Sequence, residues 1–365
     1  MTCPSCDGEF RRQVQCCGYC GQKRSSIANR MKLSEFLVAS RVLLSLLDRS
    51  RTRSGYPDSA ALTHTLERAE GADALGYHRF WVAEHHAVPG IASGSPAVLL
   101  AAIGAHTRDI RLGSGGVMLP NHQPLVVAEQ FLMLDALYPG RIDLGLGRSL
   151  GFTEPVRQAL RRSKDAPDTF AADIEELRRY LDGTAVVTAR PASRGGVPIF
   201  VLATRTGLKV AAQLGLPVVV GGPMLEIGGT NRVEALDQYR RTFQPSDAHP
   251  DPYVVVSLEV MVADTTEAAR ELLIPEAYAL AESSRTGEFP PLVSAEQIRG
   301  AALNDRTTRR IDSFVASAMY GTAIEVKQHS SDLAERTGAD ELLASTSTYD
   351  RAALEHSDHI LREVI

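Results

Sequence analysis

Cysteine is missing from most of this chain. All five cysteines fall in the first twenty residues, as Cys3, Cys6, Cys16, Cys17 and Cys20, and none follows. A disulfide framework spread through the fold is therefore excluded; the thiols form one local feature. Apolar runs of membrane length are also missing. None approaches the roughly 20 residues a helix needs to cross a bilayer, so no membrane partner is expected. The N-terminus is polar and Cys-rich rather than a secretory signal, which leaves a cytoplasmic location as the expectation. Excess positive charge is absent too. Lys and Arg number 39 against 44 Asp and Glu, a net charge of −5, with no basic stripe, so nucleic acid is not an expected partner.

What is present is an ordinary globular composition, 44% hydrophobic and 23% charged, with ample material for a large core. The head carries two C-x-x-C knuckles, Cys3–Cys6 and Cys17–Cys20, with ten residues between them. Four thiolates at that spacing can close a tetrahedral site, and zinc is the usual occupant. A closed four-thiolate site leaves no open position, so its role is structure or docking. So short a segment builds little core, and the metal would supply most of its folding energy. Residues 1–24 are thus expected to form a zinc-ribbon-like head, 25–40 a polar linker and 41–365 the main body.

The main body reads as strands and helices in alternation. Apolar runs at Val42–Leu47, Tyr77–Val82, Ile110–Gly113, Ile142–Leu146, Pro198–Leu202, Leu216–Val220, Tyr253–Val262 and Glu341–Ser345 do not alternate with polar residues. Such strands are buried on both faces, as in a parallel sheet. Helices are expected from a cap at Asp58 or Ser59 to about Leu75, stopped by Gly76, and from Ser95-Pro96 to His106. Others are expected at Leu125–Leu137, Thr169–Leu181, Thr206–Leu214, Arg232–Thr242, Thr322–Arg336 and Arg351–Val364. Asp264 and Glu267 have the spacing of a capping box, and 283–308 reads as an insertion. Eight strand–helix units point to a (β/α)8 TIM barrel with insertions; a doubly wound open sheet is the alternative. In a barrel the C-terminal strand ends form the active-site face.

Three unusual runs sit at such ends. The first, Trp81-Val82-Ala83-Glu84-His85-His86, holds the only Trp, a carboxylate and two imidazoles. Adjacent residues of an extended chain point to opposite sides, so one imidazole can face the mouth as base, donor or metal ligand. Glu84, His85 and His106 could together form a mononuclear metal site. The second run, Gly113-Ser114-Gly115-Gly116, suggests a bulge or a close backbone approach to a ligand. The third ends in Gly145-Leu146-Gly147-Arg148 and lacks the immediate helix of a dinucleotide fingerprint; its Arg suits a phosphate or carboxylate. Further on, Thr204, Arg205 and Thr206 open a helix, where backbone N–H groups, hydroxyls and a cation make an anion site or a simple cap.

With these residues placed, the main body resembles the bacterial luciferase-like flavin monooxygenases. The resemblance is carried by Gly76–His86, Leu112–His122, Gly140–Arg148 and Glu335–Tyr349. It implies a (β/α)8 barrel with His85 as catalytic residue and Glu84 beside it. It implies FMN bound by Arg148 and Thr204; the anion-site reading of the helix start adds Thr206 and Arg205, whose positive charge compensates for the departure at Ala203. It also implies a non-proline cis peptide at Gly115-Gly116 beneath the flavin ring. A homodimer, a separate flavin reductase and a small or carrier-bound substrate complete the expectation. Departures are Ala203 where the luciferases have an acid, Gly207 in place of a Thr, Gly147 in place of a reactive Cys, and the small Gly221–Met224 loop. Hydride transfer with the deazaflavin F420 on the same barrel remains open, as does a non-catalytic docking scaffold.

Overall fold

Eight strands stand side by side because nearly all their residues are buried, apolar ones on both faces and a few paired polar ones at one end of the interior. In chain order the strands are β1 (Leu43–Asp48), β2 (Arg79–Val82), β3 (Arg111–Ser114), β4 (Val117–Met118), β5 (Ile142–Gly147), β6 (Ile199–Leu202), β7 (Val218–Gly221), β8 (Val254–Leu258), β9 (Val260–Val262), β10 (Met319–Gly321) and β11 (Glu341–Ala344). The computed structural model describes residues 42–365 except 152, 193–195, 223–224, 226–232 and 247. The cysteine head and the linker lie outside the described residues. Parallel pairing runs β1–β2–β3–β5–β6–β7–β8–β11 and returns to β1. That ring is a closed eight-strand barrel, and closure excludes the open-sheet alternative. β4 continues β3 after a break and pairs with β5 through Val117↔Leu146 and Met118↔Gly147.

The helices are α1 (Asp58–Leu75), α2 (Pro96–His106), α3 (Pro124–Leu137), α4 (Glu154–Ala159), α5 (Phe170–Leu181), α6 (Arg205–Leu214), α7 (Glu234–Thr242), α8 (Thr266–Thr286), α9 (Ala295–Arg299), α10 (Asp305–Ala316), α11 (Ala323–Thr337) and α12 (Arg351–Val364). Their buried positions follow helical spacing, as with Thr307, Ile311 and Val315 on α10. Gly76 ends α1 in the left-handed conformation, as its position suggested.

Several boundaries differ from the sequence reading. The strand expected over Tyr253–Val262 breaks at Glu259. Its second half, β9, leaves the barrel and pairs with β10 in a separate two-stranded sheet. The inserted layer is accordingly larger than 283–308. It takes in β9, β10 and α8 to α10, packed around their own cluster of Met261, Leu273, Ile311 and Val315. No capping box forms at Asp264–Glu267. Thr265 is the cap, accepting from the Ala268 N–H at 3.1 Å, because α8 starts one residue later. A capping box does form at Thr322 and Glu325. The polar section after β5 contains the short helix α4.

The barrel interior is layered. At its N-terminal end Arg79 bridges Asp143 at 2.5 Å and Glu341 at 3.0 Å, and Arg111 reaches Asp143 at 2.5 Å. Ser45 and Tyr253 also donate to Glu341. Above this polar plug lies an apolar layer of Leu47, Trp81, Phe200, Val219, Val255 and Leu343. Trp81 is fully buried, edge-on to Phe200 at 5.1 Å. Arg79 sits 4.9 Å from the Phe200 ring centroid, which joins the charged layer to the apolar one.

Candidate active site

A cavity of about 240 Å³ opens above the apolar layer at the C-terminal end of the barrel. Leu47, Trp81, Leu202, Val219 and Leu343 make its floor and walls, with Gly115, Thr204 and Ser257 towards the rim. The Gly115-Gly116 peptide is cis, as the resemblance implied. Small residues are required in this wall. A Cβ on Gly115 would stand 2.5 Å from Leu47 Cδ1, one on Gly116 2.7 Å from the Gly145 carbonyl oxygen, and one on Gly145 2.0 Å from that of Ser114. The glycines that read as a bulge are thus where β3, β5 and the cavity wall crowd together.

Thr204 sits at the N-cap of α6 and its side chain makes no capping bond. With Thr204 lining the cavity, the first turn of α6 begins beside it without a side-chain cap, the property of an anion-binding terminus. Arg148 reaches the same place from the end of β5. It donates to Thr206 Oγ1 at 3.0 Å and pairs with Asp168. Thr206 accepts from Arg148 rather than capping the helix. Arg205 begins α6, and its side chain lies outside the described residues.

His85 follows β2 and its backbone N–H donates to Ser93 at 2.9 Å. Burial, together with Arg49 and Arg51, pushes the imidazole down to about 4, so it is neutral at neutral pH. The two arginines belong to a charged cluster that the sequence reading missed. Arg49 pairs with Glu259 at 2.5 Å and approaches Glu276 at 3.5 Å, while Arg51 donates to Glu276 at 2.8 Å. Glu276 comes from α8, and Phe289 and Leu292 of the inserted layer add backbone bonds to Gly90, Thr52 and Ser54, so the layer holds the loops after β1 and β2 at several points. A lone Glu next to Pro275 inside an otherwise apolar helical stretch was the available signal.

Glu84 is fully buried and does not contact His106, which pairs instead with exposed Glu70. The metal grouping of Glu84, His85 and His106 is therefore not assembled. Instead Glu84 Oε1 accepts from His86 Nε2 at 2.6 Å and His122 Nε2 at 2.7 Å, and Oε2 accepts from the Met118 N–H at 3.0 Å. Burial alone would raise the Glu84 carboxyl, but hydrogen bonds from His122 and His86 hold it down at about 2. His122, in a stretch quoted only for its resemblance, is the partner that sequence reasoning passed over.

The profile of the luciferase-like monooxygenases matches residues 41–341. The chain belongs to this family. A luciferase-like monooxygenase of Escherichia coli K12 is 34% identical over 330 residues, 88% of this chain and 97% of that protein. The N-acetyl-S-alkylcysteine monooxygenase of Bacillus subtilis is 39% identical over 224 residues, 58% of this chain and 64% of that protein. The crystal structure of apo-MsnO8 is 33% identical with a TM-score of 0.78, covering 88% of this chain and 97% of that one. As a luciferase-like monooxygenase the protein is an oxidoreductase, and the cavity, the cis peptide and the α6 terminus are the parts of the barrel to read for its chemistry. Among the described residues no helix is long and apolar enough to cross a membrane.

Proposed function

We propose that this chain uses reduced FMN, supplied by a separate flavin reductase, and O₂ to oxygenate a small organic or carrier-bound substrate. The observation that carries this reading is one continuous path. An apolar cavity bounded by the cis Gly115-Gly116 peptide runs out to an uncapped helix N-terminus flanked by Arg148. At about 240 Å³ the cavity is smaller than the roughly 300 Å³ at which whole-ligand pockets begin. It suits a fused ring, with the ribityl phosphate left on the open rim. There Thr204, Thr206, Arg205 and the α6 N–H groups would hold the phosphate. Arg148 would exchange Asp168 for it, one anion for another.

Bound reduced flavin would supply two electrons to O₂, with one oxygen atom going to substrate and the other leaving as water. The chain's own contribution is positional. Leu47, Trp81, Val219 and Leu343 line the cavity with apolar surface and would exclude water from a ring bound there. His85, neutral at working pH and not itself among the residues lining the cavity, would accept a proton at its ring nitrogen and return it. Glu84 sits one step back, bonded to His86 and His122 rather than aimed at the cavity.

Anaerobic titration with FMNH₂ and with reduced F420, followed by admission of O₂ in the presence of candidate substrates and mass detection, tests the reading. FMNH₂ binding with oxygen-dependent product is expected. Oxygen-independent turnover with F420 would replace it with hydride transfer, and failure to bind any flavin would point to a docking scaffold. His85→Ala is expected to lower turnover far more than FMNH₂ affinity. We also propose a homodimer through α2 and α3, which leave Val98, Val126, Met133 and Leu137 exposed. For the head, we propose one structural Zn²⁺ on Cys3, Cys6, Cys17 and Cys20.

A further inference from the structure

We propose that Glu84 is a positioning residue that sets the wall of the cofactor cavity, by holding the segment from the cis Gly115-Gly116 peptide to His122 against the end of β2. The inference rests on the proposed function only in calling the cavity a cofactor site.

The backbone ladder between β2 and β3 ends at Val82↔Ser114, and one further bond, from the Gly115 N–H to the Val82 carbonyl at 2.8 Å, closes it. Beyond that point the chain resumes as β4, which pairs with β5 alone. The side of β4 that faces β2 has no strand partner, and the Met118 N–H would be left without an acceptor. Glu84 Oε2 fills that place at 3.0 Å. The carboxylate thus substitutes for a ladder bond just where the pairing of β2 with β3 stops. Its second oxygen then takes His122, which follows the turn Leu119–Asn121, and His86 from its own strand end. One buried side chain fixes both ends of Met118–His122.

Gly115 lies at the near end of this segment and lines the cavity. A buried amide that loses its acceptor pays a desolvation penalty, so the segment would relax towards water or the cavity. Three ligand-type atoms within 4.8 Å also invite a metal reading. Yet both imidazole nitrogens stand at hydrogen-bond distance from one carboxylate oxygen, closer than metal ligands pack around an ion they share. The geometry is that of two N–H donors on one acceptor.

Hydrogen exchange of the full-length apo protein tests the clamp without any cofactor. In Glu84→Ala the Met118 amide and its neighbours through His122 should exchange at least about tenfold faster, while the barrel strands keep their protection. Trp81, which faces Gly115 and is the only Trp, should change its emission in parallel. Glu84→Gln retains one carbonyl acceptor and should restore most of the Met118 protection. Where wild type binds FMNH₂, Glu84→Ala should weaken it by about tenfold or more, by the same argument. Exchange and affinity within about twofold of wild type would overturn the proposal, and so would uniform acceleration across every strand, which marks a merely structural residue. Ni²⁺ uptake by the full chain that falls by one equivalent in His122→Ala would also overturn it, by showing lone pairs rather than N–H groups at the hub. If wild type binds no flavin, the function proposed above fails, and exchange and Trp81 emission still decide the clamp.

Discussion

Replacing Gly113 by Ala should distort the cavity by pushing on Trp81. A Cβ at this position would lie 2.3 Å from Trp81 Nε1 and 2.6 Å from Cδ1, a contact that real structures do not tolerate. The indole cannot drop, because Asp143 accepts from Nε1 at 3.4 Å and the Arg79–Asp143–Glu341 layer fills the space below. It cannot swing aside, because Phe200 packs edge-on at 5.1 Å. The remaining direction is upward, into the cavity. Overpacking of this kind costs about 1–3 kcal/mol. Two neighbours calibrate the effect. Gly145→Ala drives a Cβ to 2.0 Å from the Ser114 carbonyl oxygen, which is backbone and cannot yield, so it should cost at least as much. Gly147→Ala meets nothing nearer than 3.7 Å and should stay within about 0.5 kcal/mol. Urea unfolding followed through Trp81 emission gives the stability of all four proteins, and flavin titration gives the affinity. The expected order of destabilisation is Gly145→Ala, then Gly113→Ala, then Gly147→Ala, with Gly113→Ala also weakening flavin. Equal midpoints for Gly113→Ala and Gly147→Ala would refute the crowding argument.

The folded-state imidazole of His85 lies at about 4 against an ordinary 6.5. A depressed histidine stabilises the fold above its unfolded value, and that contribution is lost as pH falls from about 6.5 through 4. His85→Gln should therefore flatten the stability profile in this window; an unchanged profile sinks the assignment. Arg148→Ala should weaken FMN about tenfold while sparing riboflavin, the scale of one charge-assisted hydrogen bond. Equal losses for the two ligands would remove the phosphate contact. Metal analysis of the purified protein should find one zinc per chain, lost in a Cys17→Ser, Cys20→Ser double variant; zinc-free wild type purified without chelator would end the ribbon reading. Sedimentation should find a dimer that Val98→Lys with Met133→Lys dissociates, and a wild-type monomer would withdraw the α2–α3 interface.

Much of this protein was legible along the chain. Non-alternating apolar strands require burial on both faces, and their alternation with helices requires parallel connection, so a parallel α/β sheet follows from local pattern, while the closed ring that excludes an open sheet belongs to the tertiary structure. Strand ends such as Glu84–His86 and Gly113–Gly116 were visible because glycine, imidazole and carboxylate are costly there without a purpose. Sequence patterning could not resolve which groups meet. Glu84 with His122, Arg49 with Glu259 and Arg51 with Glu276 are pairs far apart in sequence, joined only when the strands and the inserted layer pack together. The break falls on Glu259, the one charged residue in Tyr253–Val262, but periodicity alone does not mark a strand leaving one sheet for another. Local chemistry determined the elements and the candidate groups. Barrel closure decided their partners, because a buried charge is paired by whatever the fold brings within hydrogen-bond reach.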